Sequence, residues 1–245
     1  MRTVLLLTAC LLSTAASAQT GPIAQAIAAP ERPAADRARD AQRHPAELLA
    51  FAGIKPGDKV ADIMPGGGYF TRIFSADVGP KGHVYAIVPT ELAAVAKKAT
   101  AALQVLGSDP ALTNVTTMVV PTAAIAAPEK LDLAWTSDNY HDLYGFFGAA
   151  NAAAFDKAVF SALKPGGTFI VIDHVARAGT SDTSPKTLHR IDPETVKAQV
   201  LAAGFTLEAE SPLLANPADT HDIVVFAPAI RGHTDQFVFR FRKPK

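Results

Sequence analysis

Val60-Ala-Asp-Ile-Met-Pro-Gly-Gly-Gly-Tyr-Phe-Thr71 is the stretch whose reading decides the fold. An apolar run, Lys59 to Met64, stops at three glycines. A helical pattern follows, with Phe70, Ile73, Phe74 and Val78 at i, i+3, i+4 and i+8. Strand, glycine turn and helix in that order make a nucleotide-binding corner. Glycine lets the backbone turn sharply and approach a ligand with no Cβ in the way. The N–H groups that open the helix favour a carboxylate or phosphate.

Downstream of this corner, strands and helices alternate. Strands are expected at Lys59–Met64, His83–Val88, Val115–Val120, Leu131–Thr136 and Thr168–His174, with helices at Tyr69–Ala76, Thr90–Leu106 and Ala150–Leu163. Alternation of this kind implies right-handed βαβ units and a parallel sheet, and the nearly all-apolar strands fit a sheet covered on both faces. Pro193–Ala203 reads as a helix, and Phe205–Glu210 and Phe237–Arg242 as strands. In the last of these Phe237, Phe239 and Phe241 share one face. The polar segment Ser211 to Gln236 between them has the length of a functional loop or lid. Upstream, Gly53 to Asp58 is a turn. Asp36 to Phe51 reads as a helix, with Asp36 facing Arg39, Asp40 facing Arg43, and Pro45 dividing or kinking it. Gln19 to Pro33 is Ala- and Pro-rich and reads as a flexible lead-in.

The chain has 245 residues, 49% of them hydrophobic, and no formal net charge. That suits one α/β domain and gives no electrostatic argument for nucleic acid. Arg2, the apolar Val4–Leu12 and the Ala16-Ser17-Ala18 site read as a signal peptide cleaved before Gln19. Export, to a periplasm or beyond, is the expectation. The single Cys10 would be removed with it, leaving no disulfide. No later apolar run is long enough to span a bilayer. The expected division is residues 1–18 as signal peptide, 19–44 as lead-in and helix, and 45–245 as the main domain. Oligomeric state is not legible.

A second signature, Leu163-Lys-Pro-Gly-Gly-Thr-Phe-Ile-Val-Ile-Asp173, is a helix end, a tight turn and a strand. With the glycine corner and the C-terminal hairpin, it resembles the class I S-adenosylmethionine-dependent methyltransferases over roughly Pro45 to Lys245. Pro-Gly-Gly-Gly-Tyr-Phe-Thr, Ser-Asp-Asn-Tyr-His-Asp-Leu and Arg-Gly-His-Thr-Asp-Gln-Phe make it look like an exported branch of them. The resemblance implies a Rossmann-like seven-stranded α/β sheet, mostly parallel with a C-terminal antiparallel strand. It also implies S-adenosyl-L-methionine as cofactor and methyl transfer to a small-molecule substrate. A nicotinamide dehydrogenase is the competing fold, but its third glycine is Thr71 here. A non-catalytic binding protein on the same fold is the functional alternative.

Carried over by position, Asp62 supports the glycine loop and the cofactor's amino group, and Pro65, Gly66, Gly67 and Gly68 form the loop beneath the cofactor. Val88 stands at the ribose place, where the family often has an acid, Pro121-Thr122 where an adenine-binding carboxylate often follows the third strand, and Met64 at the loop's first glycine. Losing such a charged hydrogen bond costs about 1.5–3 kcal/mol; Thr90 and Glu91 are the nearby candidates to compensate. Ser137 and Asp138, at the end of the fourth strand, complete the cofactor set. Tyr140, His141 and Asp142 follow where the family faces the transferred methyl group. His141 is a candidate base near neutral pH, and Tyr140 bounds the sulfonium or stacks on substrate. The alternative is that Asp138 and Asn139 cap a helix and His141 is a satisfied buried group. His141, Asp142, Asp173 and His174 carry ligand chemistry, but no H-x-x-x-H or cysteine spacing supports a metal, and none is expected. Arg37, Arg43 and His44 sit where a helix often covers the cofactor, or else form a solvated face. His189-Arg190 and Arg231 to Gln236 are candidates for the acceptor side.

Overall fold

The computed structural model describes residues 21–245; the signal-peptide reading of residues 1–18 lies outside them. The described residues contain seven strands: β1 (Lys59–Ile63), β2 (His83–Pro89), β3 (Val115–Val120), β4 (Leu131–Ser137), β5 (Leu163–His174), β6 (Thr206–Ser211) and β7 (Gln236–Arg242). They form one sheet in the order β3-β2-β1-β4-β5-β7-β6. The first five pair in parallel, and β7 runs antiparallel to both β5 and β6. This is the expected Rossmann-like sheet, and the order reverses between β1 and β4, the crevice position of open α/β folds.

The helices are α1 (Pro22–Ala28), α2 (Ala34–Arg37), α3 (Asp40–Arg43), α4 (Pro45–Ala52), α5 (Tyr69–Val78), α6 (Thr90–Val95), α7 (Lys97–Gly107), α8 (Tyr140–Phe147), α9 (Ala149–Ala162), α10 (Ser184–Leu188) and α11 (Pro193–Ala202). One face of the sheet packs on α8, α9 and α11 through Ile63, Leu143, Phe155, Phe169, Val196 and Phe241. The other packs on α1, α4 and α5 through Val60, Leu49, Phe70, Phe74, Trp135 and Ile170. Neighbouring strand residues such as Phe169 and Ile170 go to opposite layers, as the period of two requires.

The structure corrects four expectations. The stretch read as a flexible lead-in contains α1, which starts at Pro22 and buries Ala26 against the same layer as α4 and α5. The helix read over Asp36–Phe51 is three short ones. The last break falls at His44, in the left-handed region at φ 44°, because the residue before Pro45 is disfavoured from continuing a helix. The helix read over Thr90–Leu106 is interrupted at Ala96, where no proline or glycine marks the break. Lys164–Gly167, expected as a turn, belongs to a longer β5 whose pairing with β4 shifts register between Leu131 and Leu133.

Candidate functional site

The glycine corner follows β1. Gly66 and Gly67 are exposed, and a Cβ added to either meets nothing within 4 Å. At Gly68, φ is +81°, a left-handed conformation that favours glycine, and an added Cβ would lie 2.5 Å from Leu106 Cδ1, so that side chain would have to move. Thr71 holds the place of a dinucleotide fingerprint's third glycine because its Oγ1 donates to Asp62 Oδ2 at 2.5 Å. Asp62 is almost fully buried, and burial pushes its carboxyl up to about 6 against that bond and the charge of Arg43. Met64 adopts φ 59°, a left-handed conformation where the resemblance expects glycine. Its carbonyl accepts from Asn139 Nδ2 at 3.0 Å and its amide donates to Ile87 at 2.7 Å.

At the other half of the cradle, Val88 is buried and offers no polar atom. Thr122 is fully buried, and both its amide and its hydroxyl donate to Glu91 Oε2, at 2.9 and 2.6 Å. Glu91 thus places one carboxylate between the ends of β2 and β3.

Beside the corner, at the C-terminal ends of β4 and β5, lies a cleft of about 560 Å³. Its floor carries His141, Asp142, His174 and His189. Asp173, fully buried, accepts from the His141 ring Nδ1 at 2.7 Å and from the His141 and His174 amides, both at 2.7 Å. The carboxylate therefore keeps the proton on His141 Nδ1 and turns Nε2 outward. Burial alone lowers the His141 pKa; the charge of Asp173 and contacts with Asp142 and Asp173 outweigh it and raise it to about 10. The raised pKa favours the protonated ring, the state that cannot itself accept a proton. Asp142 is held low by His141 and His189 despite a burial penalty. His174 is held neutral by burial. Its Nδ1 lies 3.1 Å from Gln236 Nε2 and 2.7 Å from Thr234 Oγ1.

Two segments wall the cleft. On one side Arg43, from α3, reaches Asp138 Oδ2 at 2.8 Å while stacking on Tyr69 and Phe70, with its guanidinium carbon 4.7 and 5.0 Å from the ring centres. Asp40 bonds Arg32 and the Tyr69 hydroxyl instead of Arg43, whereas the expected Asp36–Arg39 pair is present at 2.8 Å. On the other side stands the 212–235 segment, which contributes Val225, Phe226, Arg231 and Thr234. A buried ion pair anchors it: Arg190, fully buried, meets Asp219 at 2.8 and 3.1 Å and the carbonyls of Ile223 and Val175 at 2.9 and 3.0 Å.

The sequence-derived residues thus divide. Asp138 closes the cleft, bonded to Arg43 and to Gln236 Nε2 at 2.6 Å, with a left-handed φ of 61°. Ser137 ends β4, and its carbonyl accepts from Asn139. His141 and Asp142 are in the cleft. Tyr140 points away from it: fully buried, it donates to Asp156 Oδ2 at 2.7 Å on the α9 side. The sequence reading did not join His189 to His141, whose ring nitrogens are 3.2 Å apart. It names His189, with Arg190, only as a candidate for the acceptor side. Positive φ at Met64, Asp138, His189 and His221 concentrates backbone strain around this edge. A larger depression of about 700 Å³ lies between residues 123–130 and α9, walled mainly by alanines with Glu129, Lys130 and Lys157 among its lining.

No protein-family model matches the chain. Among curated proteins, the ubiquinone/menaquinone biosynthesis C-methyltransferase UbiE of Neisseria meningitidis is 32% identical over 126 residues, which is 50% of this chain and 45% of that one. The matched stretch thus spans about half of either protein. Among solved structures, a SAM-dependent methyltransferase from Aquifex aeolicus superposes with a TM-score of 0.56 at 18% identity, over 80% of this chain and 88% of that one. The glycopeptide N-methyltransferase MtfA, complexed with sinefungin, gives 0.57 at 16% identity over 84% and 87%. The [4+2]-cyclase SpnF gives 0.59 at 18% identity over 86% and 81%. At these identities the likeness establishes the fold, and the cyclase shows that the fold alone does not fix a reaction.

Proposed function

We propose that the protein is an S-adenosylmethionine-dependent methyltransferase acting on a small-molecule acceptor held in the His141–His174 cleft. The observation that carries this reading is the junction at Asn139. Its side chain binds the Met64 carbonyl of the glycine corner at 3.0 Å, while the next residues, His141 and Asp142, line the cleft. A cofactor on the corner and an acceptor in the cleft would therefore be neighbours. The cleft's 560 Å³ suits a small ligand.

The residues fit the cofactor at two points. The open Gly66–Gly67 backbone gives close approach, and Glu91 supplies a carboxylate near the ribose and adenine places that Val88 and Thr122 leave without one. When bound, the cofactor supplies an electrophilic methyl group. The chain's own part is to align the acceptor and exclude water. The 212–235 segment and the Arg43–Asp138 bridge wall the cleft, while neutral His174 and the charged His141–Asp142 pair orient polar groups of the acceptor.

Calorimetric titration with S-adenosylmethionine and S-adenosylhomocysteine tests this. Saturable binding that weakens in Glu91→Ala supports the reading, whereas no heat at millimolar ligand refutes it. The absent acids at Val88 and Thr122 favour one second reading, a binding protein that retains the fold without methyl transfer. Binding of S-adenosylhomocysteine together with loss of the labelled methyl group to candidate acceptors would exclude it. We also propose that the chain acts after export, which N-terminal sequencing of secreted or periplasmic protein tests: a start at Gln19 is expected, and unprocessed cytosolic protein contradicts it.

A further inference from the structure

We propose that His141, Asp142 and His189 form a binding site for one divalent transition-metal ion of the zinc class, with a fourth position open to the cleft. The three ligand atoms make a nearly equilateral triangle. His141 Nε2 lies 3.2 Å from Asp142 Oδ1 and 3.2 Å from His189 Nδ1, and His189 Nδ1 lies 3.3 Å from Asp142 Oδ1. Tetrahedral ligands at about 2.0–2.1 Å from a zinc ion are separated by about 3.3–3.4 Å, so this triangle is close to one face of such a tetrahedron. An octahedral ion at the same bond length asks for about 3.0 Å between neighbours, which fits less well.

A second observation points the same way. Asp142 Oδ1 is buried, yet it makes no hydrogen bond of adequate geometry, although two imidazole nitrogens stand beside it. The support behind the triangle is equally specific. Asp173 takes the Nδ1 proton of His141 at 2.7 Å and also binds that residue's amide, the carboxylate–histidine arrangement that orients metal-bound imidazoles. His189 is set by the left-handed end of α10 at φ 54°, a sparsely populated conformation for a non-glycine residue. Asp142 and Asp173 bring negative charge to His141 from two sides, so the site is arranged for a cation. Two imidazoles and one carboxylate select zinc-like ions over magnesium or calcium, which prefer oxygen ligands.

The triangle belongs to the cleft and not to the glycine corner, so this proposal stands or falls independently of S-adenosylmethionine. Metal-free protein carrying no polyhistidine tag is titrated with Zn²⁺ by calorimetry against a competing chelator, and the Co²⁺ form is examined by visible absorption. One ion per chain is expected, with the strong visible bands of four-coordinate Co²⁺ and a raised Tm. His189→Ala removes a partly exposed ligand without orphaning Asp173. It should weaken binding by more than the about 10–100-fold typical of outer-sphere changes. Asp142→Asn should weaken it as well. His83→Ala, at the opposite end of the sheet, should bind as wild type does. Absence of binding, unchanged affinity in His189→Ala, or only the weak absorption of six-coordinate Co²⁺ would overturn the proposal.

Discussion

Arg190→Ala should loosen the wall of the cleft before it unfolds the protein. The Arg190 guanidinium is fully buried and spends four hydrogen bonds, two on Asp219 and one each on the Ile223 and Val175 carbonyls. Asp219 is equally hidden and also accepts from the Asp235 and His221 amides at 2.7 and 3.1 Å. Its carboxyl is held below the usual range: burial raises it, but Arg190 and those two amides outweigh burial. Removing one partner of a buried pair leaves the other charge uncompensated and costs about 3–5 kcal/mol. Because the two amides remain, the low end, about 3 kcal/mol, applies. Of a typical total of about 5–15 kcal/mol, that is enough to loosen a segment whose remaining ties include His221–Asp235 at 2.9 Å, Asn216–Asp235 at 2.7 Å, Arg177–Asp222 at 3.1 Å and the Val225 amide to the Leu188 carbonyl at 3.2 Å. Hydrogen exchange should show amides of residues 213–236 losing about 100-fold in protection while β1 and β4 retain theirs. Arg190→Lys keeps the charge but not the fork and should lie between the two. Protection of 213–236 unchanged within about 0.5 kcal/mol would refute the claim that this pair holds the segment.

Tyr140→Phe should cost about 1–3 kcal/mol by stripping buried Asp156 of its hydroxyl partner, yet leave ligand binding in the cleft unchanged; weakened binding with intact folding would return Tyr140 to the site. Burial pushes Asp156 up to about 7 despite the Tyr140 bond. A raised acid pKa means that the folded state holds the proton more tightly. Its destabilising effect is therefore complete above about pH 7 and relieved as pH falls toward the unfolded value, and urea midpoints should rise from about pH 8 to about pH 6. Asp156→Asn should flatten that slope. Asp77 is buried with neither carboxylate oxygen partnered, and burial, aided by the charge of Asp58, pushes it up to about 6. Asp77→Asn should therefore stabilise the protein at about pH 8 by about 1–2 kcal/mol, discounted for nearby solvent. The gain should shrink at about pH 5, and a loss at both pH values would contradict the assignment.

The central strands were legible because burial on both faces leaves continuous apolar runs, although their ends moved by a few residues; the half-exposed edge strand Val115–Val120 has the expected bounds and is rich in β-branched residues. The glycine corner was legible because its backbone geometry demands particular residues. Break points governed by φ alone, such as Ala96, left no mark in side-chain chemistry. The site was half legible. His141, Asp142 and His174 follow strand ends, which topology sends to the crevice. His189 reaches His141 from 48 residues away through a helix end, and no local pattern encodes that meeting. Tyr140 misled because it adjoins His141 in sequence, whereas consecutive helix residues point about 100° apart; one faces the cleft and the other the core.

The central claim is that the glycine corner holds S-adenosylmethionine beside the cleft. Its most direct test is the affinity for S-adenosylhomocysteine of wild type and Gly67→Asp measured side by side. Gly67 is exposed, and an added Cβ meets no protein atom within 4 Å, so the variant should fold normally and lose binding only where a ligand crosses that backbone. The account predicts saturable binding to wild type and a loss of at least about tenfold in Gly67→Asp, at least about 1.4 kcal/mol. Equal affinities in the two proteins, or no binding to either, would contradict it.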